Sequence, residues 1–181
     1  MALRSRQVAF VLALASLAAA LALPSRAGAA PRLVAADRLE LAVVARVNAV
    51  RKARGLPVLA GRAALKRAAT RHVTNMAYHG YFSHAWSTGT PFERWIRRFW
   101  PGTGTWTSWS VGENLYWRGP TITARQVVNA WLRSRPHRRN LLARGWRSVG
   151  VGAVETLDPL GAYSGPTQAT IVAAEFGVRR R

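Results

Sequence analysis

The chain contains no cysteine. That excludes disulfides, a thiol nucleophile, an iron–sulfur cluster and a cysteine zinc site, so stability has to come from the packed core. Acid is also scarce: 7 Asp and Glu stand against 27 Lys and Arg, a formal charge of +20 on 181 residues. A surface of that sign seeks polyanions. Lys52 and Lys66 are the only lysines. The rest of the positive charge is arginine, a skew that genomic base composition produces but that also suits bidentate binding of phosphate and carboxylate. There are only four histidines. No helical H-E-x-x-H pair is present, and neither Ser83 nor Ser134 lies in a G-x-S-x-G elbow, which weighs against a zincin and against a serine triad. No internal repeat or long low-complexity stretch occurs.

Long apolar runs are confined to the start. Arg4 and Arg6 precede an apolar stretch from Val8 to Leu23, followed by Pro24, Ser25 and Ala27-Gly28-Ala29-Ala30. This is the order of a signal peptide, expected over 1–29 with cleavage after Ala29, and the run is shorter than the ~20 residues that span a bilayer. No transmembrane span is expected after cleavage. The expected organisation is then a flexible lead-in at 30–36, one domain at 37–178 and a basic tail at 179–181. In an exported monomer of this charge, an anionic cell-envelope polymer or lipid is a better partner than nucleic acid.

Leu39, Val43, Val47 and Val50 recur at helical spacing after Asp37, a candidate cap, and Gly55 supplies the stop. Leu65, Ala68, Ala69, His72, Val73 and Met76 form a cleaner stripe that ends near Gly80. A lone histidine on such a stripe reads as a hydrogen-bonded core or rim residue. Tyr81 and Phe82 are expected to plug into the core and leave His84 aimed outward. Thr90-Pro91-Phe92-Glu93 reads as a capping box that opens a short helix with Trp95, Ile96 and Phe99 on its apolar side. Trp106 and Trp109 are expected to cover the core from a loop. Thr123 and Gln126 offer a second capping box before Val127, Val128 and Trp131. Pro136 breaks that helix, so Ser134 begins a new turn from which His137 projects. Val149–Val154 and Thr170–Phe176 read as neighbouring antiparallel strands.

With so few acids and imidazoles, their clustering is informative. Gly112-Glu113-Asn114 in a short polar break and Trp131-x-x-Ser134-x-x-His137-Arg138-x-Asn140 form half of a polar cavity, and His84 supplies the other half. In their order along the chain, together with Phe82-Ser83-His84 and Val149-Gly150-Val151-Gly152, these motifs resemble the bacterial branch of the CAP superfamily (cysteine-rich secretory proteins, antigen 5 and pathogenesis-related proteins). The resemblance covers roughly Asp37 to Val178. It implies an α+β fold, a three-layer α-β-α sandwich with a central antiparallel sheet, and a cleft holding two histidines and one or two acids. His84, Glu113 and His137 match the family's positions. The second family glutamate has no match in the third long helix. Glu175, where many bacterial relatives carry glutamine, either replaces it or is a charged residue near a strand end.

Two imidazoles and a carboxylate suit a divalent cation, zinc first, with water at an open position. His84, Glu113 and His137 are therefore the expected metal ligands, and Ser134 and Glu175 join them as candidate cleft residues. Two functions follow: an envelope-binding module, or a metal-dependent hydrolase in which Glu113 acts through water. A hydrogen-bonded structural network is the third use of the same residues.

Overall fold

The computed structural model describes residues 30–102, 104 and 106–181. The segment read as a signal peptide, 1–29, lies outside the described residues. In chain order the elements are β1 (Leu33–Ala35), α1 (Asp37–Lys52), β2 (Ala60–Gly61), α2 (Ala63–His79), α3 (Phe92–Phe99), β3 (Ser108–Arg118), α4 (Ala124–Arg133), α5 (Arg135–Leu141), β4 (Ser148–Thr156) and β5 (Ala169–Arg180). The strands form one sheet in the order β1-β4-β5-β3, with β2 also beside β4. Among the described residues, only the β2–β4 pairing is parallel. Among the described residues β3 is thus an edge strand, and its outer backbone meets side chains.

Alternation along the central strands builds two cores. Val149, Val151, Ala153, Val172, Ala174 and Phe176 face Val43, Val47, Val127, Val128 and Trp131 of α1 and α4. Val154, Ile171, Ala173 and Leu115 face Ala69, Val73 and Met76 of α2. Helices cover both faces, and the result is the α-β-α sandwich. Trp131 is fully buried and its Nε1 donates to Leu115 O at 2.9 Å. Truncating a buried aromatic of this kind to alanine costs about 3–5 kcal/mol.

Several local expectations change in the structure. The lead-in is not wholly flexible: Leu33–Ala35 pairs with β4 in the register Leu33↔Thr156 to Ala35↔Val154. The basic tail is partly strand, because β5 runs on to Arg180. Asp37 does not cap α1; it is the first helical residue and accepts from Lys66 at 3.0 Å. The Thr90–Glu93 box does not form, and α3 starts after Pro91 with no side-chain cap. Thr90 spends its hydroxyl on Thr88 instead. Phe82 is 40% exposed rather than plugged into the core. By contrast, the Thr123–Gln126 box is complete, and Gly80 ends α2 with φ 66°, a left-handed conformation that glycine adopts without strain.

Candidate functional site

Strand register brings two acids together. Glu113 on β3 lies directly opposite Glu175 on β5, and Gly150 on β4 lies opposite Glu175 on its other side. Directly paired residues point to the same face, so both carboxyl groups point toward α2. That helix sits unusually low. A Cβ at Gly150 would come within 2.1 Å of Lys66 N, and one at Gly152 within 2.3 Å of Thr70 N. The glycines let the helix backbone rest on the sheet, which delivers the next inward position, His72, to the acids.

Glu113 is the centre of the site. His72 Nδ1 lies 2.7 Å from its Oε2, and His84 Nδ1 lies 2.6 Å from its Oε1. Burial pushes the Glu113 carboxyl up, but the hydrogen bonds from His72 and then His84 outweigh it and hold the group below the ordinary range. Both imidazoles therefore donate to a carboxylate. Glu175 is driven well above the ordinary range by burial first and by the Glu113 charge second. The two acids side by side are pushed in opposite directions, Glu113 toward the ionised form and Glu175 toward the protonated one. Both Glu175 oxygens and His72 Nε2 are buried without a hydrogen-bond partner among the described residues. The hydrogen bond to Glu113 raises the His84 pKa against the opposing effect of burial. His137 is lowered by burial and then by the His84 charge.

A cavity of about 450 Å³ opens along the free edge of β3. His84 and Phe92 enter from the α2–α3 layer, and His137, Asn140 and Trp146 from the α5 side. Asn114, which the alternation turns to the α5 side, donates through Nδ2 to His137 O at 3.0 Å. Asn140 Nδ2 donates to Glu113 O and Asn114 Oδ1, each at 3.0 Å, and Trp146 Nε1 donates to Asn140 O at 2.9 Å. Gly112 is required here, since a Cβ would stand 2.6 Å from Asn140 Oδ1. The Gly112-Glu113-Asn114 stretch is therefore the middle of an 11-residue strand and not a break.

Of the residues singled out from sequence, His84, Glu113 and His137 share this cavity. Glu175 lies beneath it, fully buried, and Ser134 and Ser83 are not in its lining. Ser134 occupies the junction between α4 and α5 without a side-chain capping bond. The expected metal set does not form as a close group. Among the described residues, the acids and imidazoles whose donor atoms all lie within 4.8 Å of one another are His72, Glu113 and Glu175. His72 is the member that sequence reasoning assigns to the core alone. The available signal is its place on the α2 stripe, facing a sheet that carries acids.

Comparison with known proteins agrees with this geometry at the level of the fold. Over 118 residues the chain is 34% identical to the uncharacterized protein YkwD of Bacillus subtilis, and the match spans 65% of the chain and 43% of that relative's length. An outer surface protein of Borrelia burgdorferi superposes with a TM-score of 0.68 at 19% identity, covering 83% of this chain and 99% of that one. An extracellular protein containing a SCP domain from Bacillus anthracis gives 0.61 at 23% identity, covering 80% and 41%. The family model described as CAP, cysteine-rich secretory protein family, matches residues 44–159. Devoid of cysteine though it is, the chain belongs to the CAP family.

Proposed function

We propose that the protein is an exported or surface-held binding module that holds an anionic or lipidic ligand at the cell envelope in the cleft along β3. The observation that carries this reading is the state of Glu113. Both of its oxygens already accept from imidazoles, so it is committed as a counter-ion and is not free as a base. The lining also holds His84, His137 and the Arg139 guanidinium, beside the aromatic walls of Phe92 and Trp146. Among the described residues, no serine stands in the lining to act as nucleophile. The overall charge of +20 adds a long-range attraction for such a ligand. The extracellular and outer-surface neighbours and the N-terminal apolar segment support the location, and no described helix is long and apolar enough to cross a membrane.

The test is titration of phosphatidylglycerol vesicles into wild type, His84→Ala and Arg139→Gln at low and high salt. Binding should weaken in both variants and fall steeply with salt, because the Debye length shrinks from ~10 Å at 0.1 M to ~3 Å at 1 M. Binding that ignores both changes removes the reading.

A second reading rests on the orientation of His84. Its Nδ1 is held by Glu113, which leaves Nε2 for a ligand, the arrangement by which a carboxylate orients a metal-bound imidazole. A divalent cation, zinc first, would then be held through His84 and His137, with Glu113 behind His84 rather than on the metal. A cation bound there would supply Lewis acidity for hydrolysis. Zinc calorimetry should lose its signal in His84→Ala and His137→Ala and keep it in His79→Ala, a histidine exposed at the end of α2. Equal heats in all three would dismiss the metal.

A further inference from the structure

A second cavity, of about 330 Å³, is lined by Arg62, Trp100, Trp106, Arg147, Ser148 and Arg179. It shares no residue with the cleft. Three guanidinium groups reach it from three different parts of the chain, and among the described residues no acid does. Arg62 precedes the first turn of α2, a helix start with no acidic residue and no side-chain cap. Arg147 leads into β4, its Nη1 pinned by the carbonyls of Arg144, Gly145 and Trp146. Arg179 sits near the end of β5, 3.9 Å above the Trp100 ring and 5.7 Å from that of Trp106. Among the described residues the ion pairs involve Lys66, His72 and His84 and none of these arginines.

Clustered like charges without a counter-charge are unfavourable, and here the donors are also unmet. Arg179 Nε and Nη2 are buried and have no acceptor among the described residues. Buried unpaired donors of a charged group are costly, so such a site is stabilised by an anion that supplies acceptors. A carboxylate brings one charge and two coplanar oxygens, which one guanidinium fork saturates. Three guanidinium groups on separate walls, that of Arg179 with unmet donors, match a tetrahedral oxyanion, whose oxygens point to several sides and whose charge reaches ~−2 for a phosphomonoester. The Ser148 hydroxyl, which accepts from Arg62 Nε at 3.4 Å, has its own hydrogen left to donate.

We infer that this cavity is a phosphate-binding site, in which Arg179, stacked on indole, forms the floor and Arg62 and Arg147 form the walls. It makes the choice of an anionic envelope ligand more specific, but it does not depend on the cleft. The experiment is calorimetry with inorganic phosphate at constant ionic strength, set with chloride. Arg62→Gln and Arg147→Gln, both at exposed positions, should each weaken phosphate binding about tenfold, the scale of one lost charge-assisted contact. Arg118→Gln, at the opposite end of β3, and His84→Ala in the cleft should stay within about twofold of wild type. Arg179→Lys keeps the charge without the fork and should also lose affinity. Uniform binding across all variants, or no binding in wild type, overturns the site. Displacement of phosphate by glycerol 3-phosphate but not by phosphatidylglycerol vesicles assigns the site to a soluble or polymer phosphate, and the reverse assigns it to a lipid headgroup. Displacement by neither overturns it. A phosphate site that survives His84→Ala while vesicle binding fails separates this inference from the cleft reading.

Discussion

His72 and His84 offer the same atom, Nδ1, to the same carboxylate at 2.7 and 2.6 Å, yet the first side chain is wholly buried and the second is 53% exposed. Equal geometry does not mean equal worth. On the buried side, water cannot replace the imidazole, so the bond is part of what keeps an ionised acid tolerable in the core. On the open side, water competes and the pair contributes little to folding, but the far edge of the ring is presented to a ligand. One carboxylate thus anchors the fold with one oxygen and tunes a surface imidazole with the other.

The largest expected effect tests the buried half. His72→Ala should destabilise the protein by on the order of 3 kcal/mol, combining about 1.5–3 kcal/mol for a hydrogen bond to a charged group with the cavity left by the ring. Chemical denaturation measures it, and a loss below about 1 kcal/mol would erase the contrast between the two histidines. Glu175→Gln should act in the opposite direction. A carboxyl whose folded pKa lies above its unfolded value of 4.5 binds more protons in the folded state, so its contribution to stability falls as pH rises above that value. Gln copies the protonated form and removes this slope. Its melting temperature should exceed that of wild type by a margin that grows as pH rises above 4.5, about 2–4 °C for each 1 kcal/mol in a chain of this size. A margin that stays flat with pH means that Glu175 is ionised in the fold. The smallest effect belongs to His84→Ala, which should cost about 0.2–1 kcal/mol, as for other exposed pairs. Because the folded His84 pKa is raised, that stabilisation is complete below 6.5 and is lost as pH rises through the folded value. Wild type and variant should therefore converge in alkaline buffer, and divergence there would break the assignment.

What is legible in the sequence depends on the range of the interactions involved. The α2 stripe, the Thr123–Gln126 box and the two central strands depend on neighbours within a few residues, and periodicity and capping report those directly. The ordered motifs also place His84, Glu113 and His137 in one cavity. Periodicity reports that His72 is inward but not what stands across from it, since its partner is 41 residues away. Gly112-Glu113-Asn114 reads as a break because polar residues inside a strand are uncommon. They are accommodated by side chains arriving from α2, α5 and the loop at His84. The three-residue β1 has too short a pattern to register, and Arg51 is buried by carbonyls of Pro57, Leu141 and Ala143 that no local rule supplies.

The pairing of Glu113 with Glu175 also acts as a gauge of strand alignment. β3 and β5 share a long ladder whose backbone bonds would be nearly as good one residue out of step. A slip of either strand by one residue would turn its acid to the opposite face, away from His72 and, for the β5 acid, among Val151, Val172, Phe176 and Trp131. The glycine-lowered helix accepts the acids on one side only. Correct alignment is therefore rewarded at a single point by His72, and a chain whose two carboxyl groups have found it has committed β3, β5 and α2 together.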